Sequence, residues 1–132
     1  MKILYLHQYF KTPDESGGTR SYEMGRRLVC AGHEVHMISS ATGVRRLWPR
    51  WRVEQVAGMI VHRIEVPYSN HMGYIRRVWS FVAFAIWSTL RALSNKADVV
   101  YASSTPLTIA IPARIAAGWQ RIPYVFEVRD LW

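Results

Sequence analysis

Lys2-Ile3-Leu4-Tyr5-Leu6-His7 opens the stretch that decides the fold, which continues through Gly17-Gly18-Thr19-Arg20 to Ala31-Gly32-His33-Glu34-Val35-His36-Met37-Ile38-Ser39. Its first run, Lys2 to Leu6, is apolar with little alternation, the pattern of a strand covered on both faces. Val35 to Ser39 reads the same way. The intervening Thr19 to Ala31 reads as a helix, with Tyr22, Gly25, Leu28 and Val29 on one face. Thr19 or Ser21 can cap its start, and Gly32 suits the left-handed residue after its end. Gly25 on the apolar face lets the helix approach a sheet closely, and Cys30 reads as an inert packing residue. Strand, helix and strand in this order build a parallel sheet.

Working outward, Val99 to Ala102 and Tyr124 to Val128 are two further buried strands. Residues 53–66 read as a hairpin, Val53 to Val56 and Ile60 to Ile64 around Ala57-Gly58-Met59, inserted at a sheet edge. Tyr74 to Asn95 reads as a largely buried helix. Its solvated stripe is expected to be Arg77, Ser80, Phe84, Ser88, Arg91 and Asn95; a partly membrane-embedded helix is the other reading. A third helix is expected from Pro106, with Pro112 in its interior as a kink. The fold class is therefore α/β: a Rossmann-like, doubly wound parallel sheet in a 3-2-1-4-5 order with right-handed crossovers.

The chain has 132 residues, half of them hydrophobic, enough for one domain with a real core. Its single cysteine excludes a disulfide framework, and no His/Cys/Asp/Glu spacing suggests a metal. The start lacks the pattern of a secretory signal. The longest apolar run, Val78 to Leu90, falls short of the roughly 20 residues that span a bilayer. A cytoplasmic protein is expected, one able to sit on the inner face of the plasma membrane. Lys plus Arg number 17 against 9 Asp plus Glu, a net charge of +8. That balance points to phosphate, anionic lipid or nucleic acid.

Three groups of residues carry candidate chemistry. Gly17 and Gly18, at a helix N-terminus, allow close backbone approach to a phosphate. No G-x-G-x-x-G and no P-loop sequence accompanies them. His7 ends the first strand, where α/β sheets bind ligands. His33 and His62 read as structural, and His36 and His71 as surface or loop residues. Arg45, Arg46, Trp48, Arg50, Trp51 and Arg52 form a basic aromatic loop without an acid, helped by Arg76 and Arg77. Arg suits headgroup phosphate and Trp the membrane interface. A solvated basic edge is the alternative, and no nucleic-acid-binding signature accompanies the loop.

The strand, long loop, Gly17-Gly18, helix and Ala31-Gly32-His33-Glu34-Val35 together resemble the N-terminal half of a family 4 glycosyltransferase with the GT-B fold. Gly58-Met59-Ile60-Val61-His62-Arg63-Ile64 resembles that family's next landmark. Ala102-Ser103-Ser104-Thr105-Pro106 and Pro123-Tyr124-Val125-Phe126-Glu127-Val128-Arg129-Asp130-Leu131-Trp132 follow in the family's order. The last segment is similar to bacterial enzymes that build capsule, O-antigen and exopolysaccharide repeats. The resemblance implies an acceptor-side domain, probed by a nucleotide-sugar donor and a lipid-linked glycan acceptor, with no metal or cofactor required. It also implies a second, donor-binding half outside this chain, an inactive isolated fragment, and self-association through uncovered apolar surface. Glu15 and Glu23 match the spacing of the family's Glu-x₇-Glu motif by coincidence, in the wrong half.

Many family members carry His-Asp where this chain has Arg129-Asp130. Arginine cannot act as a general base, but it can hold a phosphate or pair with Asp130 or Glu127. Catalytic residues thus stay open, with Glu127 and Asp130 as candidates. Gly17 and Gly18 are placed beside the donor diphosphate; His7, Ser104, Thr105, Arg129 and Asp130 line the acceptor cleft. Two rivals stand. One is a nucleotide-dependent oxidoreductase-type Rossmann domain, for which the glycine fingerprint is missing. The other is a non-enzymatic basic module for membranes or nucleic acid.

Overall fold

The computed structural model describes residues 1–41, 50–67, 69, 71–104 and 106–129. The elements in chain order are β1 (Lys2–Leu6), α1 (Arg20–Cys30), β2 (Glu34–Ser40), β3 (Arg50–Val56), β4 (Met59–Glu65), α2 (Tyr74–Ser94), β5 (Val99–Ser103), α3 (Ala110–Gln120) and β6 (Tyr124–Glu127). A 3-10 turn, Leu107–Ile109, precedes α3. The strands form one sheet in the order β3-β4-β2-β1-β5-β6. Only β3 is antiparallel, paired with β4 at the edge. Without it, the parallel strands run 3-2-1-4-5, as expected.

The edge hairpin turns on Ala57 and Gly58, both at positive φ (49° and 82°). Two such residues match the right-handed twist of the flanking strands. Gly58 is required twice over, since a Cβ there would lie 2.7 Å from Val29 Cγ1. On one sheet face, α1 covers Tyr5, Val35, Met37, Met59 and Val61, joined by Phe10. Gly25 makes this contact possible: a Cβ would fall 2.2 Å from Met59 Sδ. On the other face, α2 and α3 cover Leu4, Leu6, Ile38, Ile64, Val100 and Ala102.

Several expectations are corrected. The stripe of α2 assigned to solvent is its buried face: Ser80, Phe84 and Ser88 pack inward, while Trp79, Val82, Ile86 and Leu90 point out. Small residues let α2 lie close to the sheet. Their hydroxyls are satisfied, Ser80 Oγ donating to Pro67 O at 2.5 Å in the loop before α2, with Arg76 O also within 3.0 Å, and Ser88 Oγ turning back to Ala85 O at 3.2 Å. Pro112 sits in the first turn of α3, where no intrahelical partner for its nitrogen is needed, so it makes no interior kink. Cys30, the last residue of α1, is exposed. His36 is buried within β2 because its neighbours in the sheet and His62 cover it. Arg50, Trp51 and Arg52 belong to strand β3 rather than to a loop.

Candidate functional site

The polypeptide turns in opposite directions from β1: α1 leads to β2 on one side, and α2 crosses to β5 on the other. The carboxyl ends of β1 and β5 therefore flank a topological switch point, the ligand position in open α/β sheets. His7 follows β1, Ser104 follows β5, and Arg129 lies two residues beyond β6. These three expected cleft residues come together. Arg129 Nη1 donates to His7 Nε2 at 3.1 Å, and the Arg129 backbone N–H donates to Ser104 Oγ at 2.9 Å. A guanidinium only donates, so His7 Nε2 is the acceptor and its proton sits on Nδ1. From there it is shared with Ser21 Oγ at 2.6 Å, which ties β1 to the first turn of α1.

His7 is 3% exposed. Burial, reinforced by the Arg129 charge, pushes its pKa down to about 4, so the imidazole is neutral. Glu127 ends β6. Its Oε1 pairs with Arg20 Nη2, and its Oε2 accepts from Ser103 Oγ at 2.7 Å. Burial works to raise its pKa, but the Ser103 hydrogen bond and the Arg20 and Arg129 charges hold the carboxyl below its ordinary range. The cluster thus holds two guanidinium charges, one carboxylate and a neutral imidazole. Its net charge of about +1 suits an anionic guest.

Gly17 and Gly18 are exposed in the loop before α1, and Gly17 has φ +136°. Nothing lies within 4 Å of a Cβ built on Gly18, so its backbone is open to a guest. The Arg20–Glu127 pair brings the end of this loop to β6. Thr105, Asp130, Arg45, Arg46 and Trp48 lie outside the described residues. Trp51 packs against the core edge, with the Arg91 guanidinium carbon 5.1 Å from its ring centre. Arg52 faces Glu54 at 3.8 Å, and Arg50 is exposed.

Sequence reading missed Arg20, Ser21 and Ser103 in this cluster. Their signal was position: two open α1 and one ends β5. It also missed a buried hub at Arg63 on β4. Its Nε donates to Glu54 Oε1 at 2.5 Å and its Nη2 to Glu15 Oε2 at 3.3 Å, while its guanidinium lies 5.5 Å from the Phe10 ring centre. Glu15 therefore staples the β1–α1 loop, and Glu23 pairs with Arg26 on the outside of α1. The two glutamates serve separate structural roles. Among the described residues, no group of three or more His, Cys, Asp or Glu is arranged to hold a metal.

The fold is a doubly wound α/β domain with a basic side-chain cluster at its switch point. The sequence matches the glycosyl transferase 4-like domain family over residues 17–132, and the chain belongs to that family. No curated protein sequence matches it. The C-terminal domain of a Pyrococcus furiosus hydrogenase is similar in structure, with a TM-score of 0.63 and 13% identity over 96% of this chain and 91% of that one. An Escherichia coli structure described as trehalose-6-phosphate bound with UDP-2-fluoro glucose is similar with a TM-score of 0.55 and 12% identity. That match covers 94% of this chain and 32% of the other. Likeness at such identities speaks to the fold alone.

Proposed function

We propose that this domain forms the acceptor side of a glycosyl transfer from a nucleotide-diphosphate sugar to a lipid-linked or growing polysaccharide acceptor, as in capsule, O-antigen or exopolysaccharide assembly. Family membership supports the reaction class. The observation that carries the reading is the Arg20–Glu127–Arg129–His7 cluster at the switch point. In this reading the acceptor hydroxyl oxygen bonds to the anomeric carbon as the carbon–oxygen bond to the diphosphate breaks. The bonding electrons and the hydroxyl proton leave with the nucleotide diphosphate. Arg20 and the open backbone at Gly17 and Gly18 offset the developing negative charge, and Arg129 holds the phosphate of the lipid-linked acceptor. Glu127 accepts a sugar hydroxyl and orients it. His7, acidic in its conjugate form, takes no proton at neutral pH and positions Arg129. Thr105 and Asp130 complete the acceptor side, with no metal or cofactor in the step.

Competition binding tests this against its rivals. The protein is titrated with a short-chain isoprenyl diphosphate sugar, a nucleotide sugar, NADH and an oligonucleotide. The isoprenyl diphosphate sugar should bind, Arg129→Ala should weaken it at least about tenfold, the loss of a charge-assisted hydrogen bond, and NADH should not compete. Saturable NADH binding, or oligonucleotide binding that displaces the sugar ligand, overturns the reading.

A further inference from the structure

The Arg63 hub lies outside the switch-point cluster, yet its contacts run into the loop that ends at Gly17 and Gly18. Arg63 sits on β4, 4% exposed. Its guanidinium donates in three directions: Nε to Glu54 Oε1 on β3, Nη1 to Phe10 O at 3.4 Å, and Nη2 to Glu15 Oε2. Phe10 is anchored a second time, its N–H donating to Ser39 Oγ at 3.2 Å. The Glu15 carboxylate collects further donors. Oε2 accepts from the Thr12 N–H at 2.9 Å and from Thr12 Oγ1 at 3.2 Å, and Oε1 faces Lys11 Nζ at 3.8 Å. The Glu15 N–H donates back to Thr12 O at 3.0 Å, so residues 12–15 close into a turn around one carboxylate. That turn reaches Gly17 through Lys11, whose stem lies where a Cβ on Gly17 would fall 3.1 Å from Lys11 Cγ. Gly17 itself, at φ +136°, takes a backbone conformation that other residues rarely adopt.

We infer that Arg63 and Glu15 are positioning residues, which fix the backbone at Gly17 and Gly18 for an anionic ligand without touching that ligand. The inference rests on the proposed use of this backbone at the diphosphate. Residues 7–19 connect β1 to α1, and a connection this long holds one shape only where it is tied down. Backbone N–H groups stabilise an anion best when their directions are fixed before it arrives. Core packing alone does not call for a guanidinium on β4, since apolar side chains of similar volume often replace a buried ion pair without loss. What the charge adds is convergence. One carboxylate from β3 and one from the loop meet on a single planar fork, which lysine cannot reproduce. The edge hairpin thereby sets the loop, and the loop sets Gly17. The network is not sealed from water. A cleft of about 360 Å³ opens beside it, lined by Asp14, Tyr22, Arg52 and Glu54, and the Glu15 side chain is 31% exposed. Glu15 can therefore exchange its proton, with Lys11, Asp14, Tyr22, Arg52, Glu54 and Arg63 as its charged or titratable neighbours.

NMR of the 132-residue protein tests this, with UDP as the diphosphate probe. Arg63→Met removes the fork and keeps most of the volume, and Glu15 and Glu54, each about one-third exposed, then turn to solvent. Glu15→Gln removes the loop's end of the pair at a partly exposed position, so it should fold even where Arg63→Met does not. In both variants the heteronuclear NOE at Gly17 and Gly18 should fall and their amide shifts should move toward unstructured values, while Leu4 and Ile38 in the core stay unchanged. UDP should shift both glycine amides in wild type and bind each variant at least about fivefold more weakly, the effect of misaligning one N–H contact. Glu23→Gln, on the outside of α1, should change none of these. The pH profile separates positioning from simple bracing. Burial works to raise the Glu15 pKa, but the Thr12 N–H and the Arg63 and Lys11 charges hold it below its ordinary range. The glycine amides should therefore titrate only at more acid pH in wild type and at higher pH in Arg63→Met. Glycine amides that keep wild-type shifts and NOEs in both variants, or an unchanged UDP affinity, overturn the inference. If UDP moves no glycine amide in wild type, the diphosphate reading of the loop fails, while the NOEs and the pH profile still decide whether Arg63 and Glu15 set it.

Discussion

At the scale of single residues, two buried imidazoles dominate. His7 is locked between Ser21 and Arg129. His62 accepts from Arg91 Nε at 3.0 Å and donates through Nε2 to His36 Nδ1 at 3.1 Å, and His36 in turn reaches Glu34 Oε1 at 2.6 Å. Burial, aided by the Arg91 charge, pushes the His62 pKa down to about 4 from an ordinary 6.5. His7 shifts the same way. A base whose folded pKa is lowered binds its proton more readily unfolded. The stability from both histidines is therefore complete above about pH 6.5 and is lost as the pH falls toward about 4. The unfolding midpoint should decline across that window, and His7→Gln should flatten the decline. An NMR titration in which either imidazole protonates near pH 6.5 would contradict this. Glu15 and Glu127, both held low, add their loss only at more acid pH.

At the scale of elements, α2 offers the sharpest test of packing. Phe84 is buried against the sheet, so Phe84→Ala should cost about 3–5 kcal/mol in urea unfolding. Ile86, two residues on, is exposed, and Ile86→Ser should change stability by no more than about 0.5 kcal/mol. Equal losses would mean the helix is turned the other way. For α1, Gly25→Ala gains helix propensity of about 1 kcal/mol. It also drives a methyl into Met59, which has no exposure to retreat to, at about 1–3 kcal/mol of overpacking. A net loss of stability is expected. The Gly25 contact was readable from sequence because a glycine on an apolar helix face has few other uses. The buried face of α2 was not, because serine looks solvated on a helical projection. Its hydroxyl can turn back onto the helix, a possibility that periodicity does not register. Arg91 misled in the same way: it reads as a surface cation, yet it closes over Trp51 and His62.

At the scale of the whole molecule, the parallel strands and their order were legible because buried β-branched runs and right-handed crossovers leave few arrangements. His7, Ser104, Glu127 and Arg129 were legible for a related reason: each ends or follows a strand, and those ends converge at one edge. Arg20, Ser21 and Ser103 were not, since their partners lie up to 107 positions away in sequence. The Arg63 hub stayed hidden likewise, because β3, β4 and the loop after β1 meet only once the edge hairpin has folded. In the proposed function the convergent edge binds the anionic end of a lipid-linked sugar through Arg129. The most direct measurement of this binding is NMR chemical-shift mapping with a short-chain isoprenyl diphosphate sugar. Saturable shifts are predicted at His7, Gly18, Arg20, Ser103, Ser104 and Arg129, and Arg129→Ala should remove them. Shifts confined to the opposite sheet edge, around Lys2, Asp98 and Arg121, or shifts unchanged in Arg129→Ala, would contradict the account.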